Sequence, residues 1–207
     1  MDATTIAVIG AGNIGGTLAR KWAAAGHRVV LGVRDPTGPR AARLVEELGP
    51  AISAAGMADA ANAAGIVVFA VPGAAMAATL GELRAALRGK LIVDATNTLT
   101  GDGPSNSLGL ISRAVPTAVT YRAFNSLGWE ILADPVIDDV RSDLFFAGPD
   151  GPGRQAVASL IQEAGLRPVW LGGPERADLV DAAAAIYFAL VTGPHRSRRL
   201  AFHVLGF

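Results

Sequence analysis

No cysteine occurs in the 207 residues. That excludes a disulfide framework, a thiol nucleophile, Cys-ligated zinc or iron–sulfur sites and thiol–disulfide chemistry, so any redox chemistry must come from a bound cofactor. Lysine is nearly as scarce. Of eighteen basic residues only Lys21 and Lys90 are lysines, so a phosphate or carboxylate clamp is expected to be an arginine fork. Excess charge is missing too: eighteen basic residues balance eighteen acidic ones. Without an overall field, no nucleic-acid partner is expected. The longest apolar runs, Gly65 to Val71 and Ala183 to Val191, fall well short of the roughly 20 residues that span a bilayer. Met1-Asp2-Ala3-Thr4-Thr5 carries no basic n-region or h-region. A soluble cytoplasmic protein with no membrane partner is the expectation, and no His/Asp/Glu cluster has metal-ligand spacing.

Short β-branched runs alternate with Ala/Leu-rich stretches through the first two-thirds of the chain, the pattern of a parallel sheet covered on both faces. Strands are expected at Ile6–Ile9, Arg28–Val33, Ile66–Val71, Leu91–Asp94, Ala118–Ala123, Leu144–Ala147 and Pro168–Leu171. Helices are expected at Ile14–Ala25, Arg40–Leu48, Ala58–Ala64, Ala74–Leu87, Leu108–Ala114 and Arg154–Ala164. Thr96 to Ser107, rich in Asn, Thr, Gly, Pro and Ser, reads as a mobile loop at the carboxyl end of a strand, where ligand crevices form in open α/β sheets. After Gly172-Gly173-Pro174 the chain offers two helical pieces, Glu175–Val191 and Ser197–Val204, and no further strand. The expected fold is α/β: one Rossmann-like, doubly wound, mostly parallel domain over residues 1–207, with 174–207 as a helical tail.

Ile6-Ala7-Val8-Ile9-Gly10-Ala11-Gly12-Asn13-Ile14-Gly15 places a G-x-G-x-x-G directly after the first strand and at the start of a helix. Gly10 permits the tight turn, Gly12 lets backbone N–H groups approach a pyrophosphate, and Gly15 allows close helix–strand packing. The helix N-terminus adds unpaired N–H groups and partial positive charge for the anion. At the end of the second strand an acidic residue would favour NAD and an arginine NADP. The chain reads Leu31-Gly32-Val33-Arg34-Asp35-Pro36 there, with Arg40 opening the next helix. Arg34, supported by Arg40, is suited to a 2′-phosphate. Asp35 would suit a ribose hydroxyl but falls one residue further on, in the turn before Pro36. NADP(H) is therefore the expected cofactor, with NAD the alternative.

These segments, together with Gly26-His27-Arg28-Val29-Val30-Leu31-Gly32-Val33-Arg34, Ala70-Val71-Pro72, Asp94-Ala95-Thr96-Asn97, Ala123-Phe124-Asn125-Ser126-Leu127-Gly128 and Arg199-Leu200-Ala201-Phe202, give a sequence that resembles the NADP oxidoreductases dependent on the deazaflavin coenzyme F420. The similarity covers nearly the whole chain and extends to related short dinucleotide-binding reductases. The resemblance implies hydride transfer between NADPH and coenzyme F420 or another flavin-type co-substrate in a small Rossmann-type protein that commonly forms a homodimer. It implies that Ala11, Gly12, Asn13 and Ile14 meet the pyrophosphate and that Arg34 meets the 2′-phosphate. It further implies that Val71, Pro72, Gly73, Asn97, Asn125 and Ser126 lie along the nicotinamide half. Two positions depart from the family pattern. Val33-Arg34 stands where Ser-Arg is usual, and Asn125 stands where a histidine is usual.

Hydride transfer between two ring cofactors needs alignment more than a protein acid or base. Reduction of a small carbonyl or imine would instead need a proton donor, for which Tyr121, His195 and Asp94 are the polar candidates. A dinucleotide-sensing module without catalysis is the third reading. Tyr121 and Tyr187 read first as packed residues with hydrogen-bonded hydroxyls. His195, Arg196, Arg198 and Arg199 form a basic turn that is either a solvated face or a contact to an acidic cofactor tail or a second subunit. The stretch Leu179–Val191 is apolar almost all round and is expected to be buried in its own core or against a symmetry mate.

Overall fold

The computed structural model describes residues 2–98, 105–193 and 196–206. Strands β1 (Thr5–Ile9), β2 (Arg28–Val33), β3 (Ile52–Gly56), β4 (Ile66–Phe69), β5 (Leu91–Asp94) and β6 (Val119–Arg122) form one parallel sheet in the order β3-β2-β1-β4-β5-β6. Its register pairs Ile6 with Val29 on one side and with Ile66 on the other. Helices α1 (Asn13–Ala24), α2 (Pro39–Leu48), α3 (Met57–Ala63), α4 (Met76–Leu83) and α5 (Leu108–Ala114) connect these strands, and α6 (Trp129–Ala133) follows β6. A hairpin of β7 (Val136–Ile137) and β8 (Val140–Arg141) leads to a separate parallel pair, β9 (Asp143–Phe146) and β10 (Arg167–Trp170), joined through α7 (Pro152–Glu163). Helix α8 (Ala177–Thr192) packs last. The expected Rossmann-like α/β fold with a C-terminal helix is what the chain adopts.

Both faces of the sheet are covered, and strand alternation divides the core into two. Ile6 and Val8 point into one cluster with Leu18, Trp22, Tyr121, Phe124, Leu160 and Tyr187. Ala7 and Ile9 point into the other with Ala60, Phe69, Met76, Leu83 and Ile111. Trp22 is fully buried, donates its indole N–H to Leu160 O at 3.0 Å and meets Phe124 edge to face at 5.7 Å. Such a contact adds roughly 1 kcal/mol beyond area burial.

Four features depart from the sequence expectation. Strand β3, Ile-Ser-Ala-Ala-Gly, has little β propensity and becomes a strand because β2 offers an open edge, pairing Val29 with Ile52 and Val33 with Gly56. The strands expected at 144–147 and 168–171 leave the main sheet and pair with each other, as β9 and β10. A short hairpin, β7–β8, forms where no strands were expected, turning at the exposed Asp138 and Asp139, which both take positive φ, 50° and 63°, the conformation of a tight two-residue hairpin turn. The second tail helix, expected at Ser197–Val204, does not form: the chain there is extended, with a bridge from Phe202 to Asp143.

The extended tail is fastened to a buried carboxylate. Asp143 accepts hydrogen bonds from Arg167 Nε at 2.6 Å and Nη2 at 2.7 Å and from Val204 N at 2.7 Å, with His203 Nδ1 at 3.5 Å. Burial alone would raise the Asp143 carboxyl, but these hydrogen bonds and the Arg167 and His203 charges outweigh it and hold the group below its ordinary value of 3.8. A carboxylate depressed on folding stabilises the fold above the ordinary carboxylate range and loses that contribution as pH falls through the folded value. Residues 199–206 are therefore expected to become progressively more accessible to protease as pH falls below the ordinary carboxylate range, and Asp143→Asn should release them at neutral pH. Limited proteolysis with mass mapping checks both. A tail as well protected in Asp143→Asn as in the wild type would remove this carboxylate from the account.

Candidate active site

The strand order reverses between β1 and β4: the chain leaves β1 toward β2 on one side and returns from β3 to β4 on the other. The loops at their carboxyl ends diverge there and leave a crevice. A cleft of about 600 Å³ lies over this point, walled by Gly10–Gly12, Gly32–Asp35, Gly38–Ala41, Met57 and Ala70–Pro72. It continues into a hollow of about 370 Å³ bounded by Gly12–Ile14, Val71, Pro72, Ala95 and Asn97. A third hollow, lined by Arg20, Arg40, Arg43 and Trp129, opens off the same glycine loop. A larger hollow of about 680 Å³ beside β6 has Asp150 and Tyr121 as its ionisable groups. Cationic and backbone donors converge at the glycine loop instead.

The three glycines differ in what surrounds them. Gly10 has φ 107°, and a Cβ there would sit 2.7 Å from Ala70 O. At Gly15 a Cβ would lie 2.0 Å from Gly10 O and 3.2 Å from the Ala70 methyl, so this glycine sets how closely α1 meets the sheet. At Gly12 a Cβ would meet no atom within 4 Å. The space above Gly12 is open at the N-terminus of α1, whose first turn has no side-chain cap and no acidic residue. Its unpaired N–H groups and partial positive charge suit an anion.

Arg34 and Arg40 both line the cleft and are exposed. Among the described residues neither makes a hydrogen bond or an ion pair, whereas nearby Arg20 is paired with Glu47 at 2.7 Å. Asp35 turns inward on its own loop: its Oδ1 accepts from Thr37 N at 3.0 Å and Thr37 Oγ1 at 2.8 Å.

The expected site residues therefore divide. Gly10, Ala11, Gly12, Asn13, Ile14, Arg34, Arg40, Val71, Pro72 and Asn97 share the walls of the cleft and its adjoining hollow. Gly15 lies beneath them. Gly73 is buried, with its N–H on Asn97 O at 3.2 Å and no room for a Cβ beside Thr98. Asn125 and Ser126 are 3% and 1% exposed and stand behind Asn97, whose Nδ2 donates to Asn125 O at 2.9 Å. Phe124, just before them, is held at φ 64°, an uncommon conformation for a non-glycine residue. Asn125 Oδ1 and Ser126 Oγ are buried with no hydrogen-bond partner among the described residues.

Two of the three candidate proton donors are engaged elsewhere. Asp94 is fully buried and accepts from Thr96 N, Thr96 Oγ1 and Ser107 N at 2.6–3.0 Å. Tyr121 donates to Pro149 O at 2.6 Å, and burial raises its phenol above the ordinary value. His195 and residues 99–104 of the expected loop lie outside the described residues. In the basic turn, Arg198 pairs with Glu130 and Arg199 with Asp134, so both pin the tail to α6. Sequence reasoning overlooked Met57, which reaches the cleft because β3 is a strand. It also overlooked Arg122, whose signal was an arginine inside an apolar strand.

Comparison with known proteins agrees with this geometry. Residues 5–98, which carry β1 through the segment after β5, match the family described as NADP oxidoreductase, coenzyme F420-dependent. The F420-dependent NADP reductase of Methanothermobacter thermautotrophicus is 30% identical over 196 residues, covering 85% of this chain and 84% of that protein. The chain belongs to the F420-dependent NADP oxidoreductase family. It is an NADP-dependent oxidoreductase of that family. A crystal structure from Arthrobacter sp. FB24, provisionally described as an F420-dependent NADP-reductase, superposes with a TM-score of 0.86 at 26% identity, covering 98% of this chain and 99% of that one. An imine reductase from Pseudomonas sp., at 22% identity and a TM-score of 0.70, covers 92% of this chain and 64% of its own and shares the fold.

Gly12 and Gly15 give a paired expectation for this oxidoreductase. Gly12→Val, which projects into open space, should leave the thermal midpoint within about 2 °C while weakening NADP+ binding at least tenfold. Gly15→Ala should lower the midpoint by several degrees, as overpacking by one methyl costs roughly 1–3 kcal/mol. Calorimetric titration and thermal unfolding of both variants check this. A Gly12→Val protein that binds NADP+ normally would contradict the reading of that loop.

Proposed function

We propose that this chain transfers hydride between NADP(H) and coenzyme F420. The observation that carries the reading is the cleft at the β1/β4 divergence, with two guanidinium groups at its β2 side that have no partner among the described residues. Arg34 and Arg40 would hold the 2′-phosphate, where charge-assisted hydrogen bonds contribute about 1.5–3 kcal/mol. Asp35 gives its Oδ1 to Thr37, one residue beyond the strand-end position that Arg34 occupies. The N–H groups of Gly12, Asn13 and Ile14 would take the pyrophosphate. Val71, Pro72 and Asn97 would flank the nicotinamide end, with Asn125, Ser126 and Gly73 shaping the wall behind. When bound, NADPH supplies the hydride, and the protein's part is to align the two rings and exclude water. The engagement of Asp94 and Tyr121 with loop backbone supports a reaction that requires no proton from either. The name of the Methanothermobacter relative supports the deazaflavin as acceptor.

The test combines binding with a single turnover. NADPH should bind well ahead of NADH, and Arg34→Ala should weaken NADPH about tenfold or more while leaving NADH unchanged, read by titration calorimetry. Anaerobic mixing of the NADPH complex with oxidised coenzyme F420 should bleach the reduced-nicotinamide absorbance, whereas FMN should not. Equal affinity for NADH would overturn the clamp, and oxidation by FMN alone would overturn the deazaflavin.

A further inference from the structure

Arg122 closes β6 with its side chain fully buried. A guanidinium drawn out of water in this way costs several kcal/mol unless its charge is paired and each of its five N–H groups finds an acceptor. Here the charge is paired with Asp181, and four hydrogen bonds engage Nε, Nη1 and Nη2. Nε donates to Asp181 Oδ1 at 2.8 Å, and Nη2 lies 2.7 Å from the same oxygen. Nη1 donates to Asp94 O at 3.1 Å and to Thr96 O, with Asp94 Oδ2 at 3.4 Å. The remaining Nη2 hydrogen goes to Asn97 Oδ1 at 2.9 Å. One side chain thus ties the tip of β5 to helix α8, where Asp181 also accepts from Asn125 Nδ2 at 3.2 Å and Asn106 Nδ2 at 2.6 Å.

The consequence falls on Asn97, the one member of this network that lines the cleft. Its amide cannot be turned over. A guanidinium can only donate, so the group facing Arg122 must be the oxygen. The Nδ2 opposite already gives one hydrogen to Asn125 O. The second Nδ2 hydrogen has no acceptor among the described residues, and it is the donor that the fixed amide keeps for a ligand.

We propose that Arg122, braced by Asp181 of α8, is a positioning residue that fixes the Asn97 amide as a hydrogen-bond donor for a carbonyl oxygen on the ring end of the dinucleotide. This rests on the reading that NADP(H) occupies the cleft. A carboxamide on that ring is the chemistry such a donor would recognise, and α8 becomes part of the site without touching the ligand.

The test compares NADPH with 2′-phospho-ADP-ribose, which keeps the adenosine, the 2′-phosphate and the pyrophosphate but lacks the nicotinamide. Asn97→Ala should raise the NADPH dissociation constant about five- to tenfold and leave that of the fragment unchanged. Arg122→Lys, which keeps the charge but loses the fork, should do the same, and the double variant should be no worse than Asn97→Ala alone. Asp181→Ala, at a less buried side chain, gives the same readout if Arg122→Lys does not fold. A loss shared equally by both ligands, or double-variant losses that multiply, would overturn the positioning role. So would wild-type protein that binds the fragment as tightly as NADPH. Wild-type protein that binds neither ligand, or an Arg34→Ala effect of nil, would instead overturn the reading of the cleft.

Discussion

Parallel pairing of β1 with β2 on one side and β4 on the other governs the rest of this molecule. Parallel neighbours need crossover connections, and right-handed crossovers from a central strand to opposite edges place helices on opposite faces. The loops after β1 and β4 must then part, and the cleft is the gap between them. Gly10 and Gly15 serve this geometry from below, one in the turn and the other at the helix–sheet contact. Gly12 serves it from above by leaving the floor bare.

Around that gap the charged groups fall into two sets. Arg198, Arg199, Arg167 and Arg20 have carboxylate partners and hold the architecture together, chiefly by tying tail to body. Arg34 and Arg40 face the cleft with no partner among the described residues. An unpaired guanidinium keeps its full capacity for a dianionic oxygen cluster, whereas a paired one would first have to break an internal bond. Arg122 is the opposite extreme, with all three of its nitrogens hydrogen-bonded. Such saturation gives the far wall of the cleft rigidity that loop residues alone would not supply.

Much of the fold was legible because its signals are local. Continuous β-branched runs such as Ile66–Phe69 mark strands buried on both faces, and the glycine spacing after β1 marks the turn that a parallel sheet places at a crevice. Strand β3 was illegible for an equally plain reason. Ile-Ser-Ala-Ala-Gly carries no strand signal of its own, and its extended form is imposed by the edge of β2. The tail misled in the other direction. Ser197–Val204 reads as helical locally, but Asp143 and Arg167 capture it in an extended form through contacts more than thirty residues away in sequence. Asn125 and Ser126, placed beside the cofactor from likeness, lie one layer behind Asn97 because Phe124 turns the chain back into the core.

By itself, the sequence determined the fold class, the glycine loop, the arginine at the end of β2 and the need for a borrowed redox group. Each depends on residues close together in the chain or on a residue type that is missing altogether. Only the tertiary structure decided which arginines lack a partner among the described residues, that Asp94 is already engaged, and that an arginine in β6 links an aspartate in α8 to an asparagine after β5. Those are questions of partnership, and hydrogen-bond partners such as Arg122 and Asp181, 59 residues apart, leave no periodic trace along a single chain.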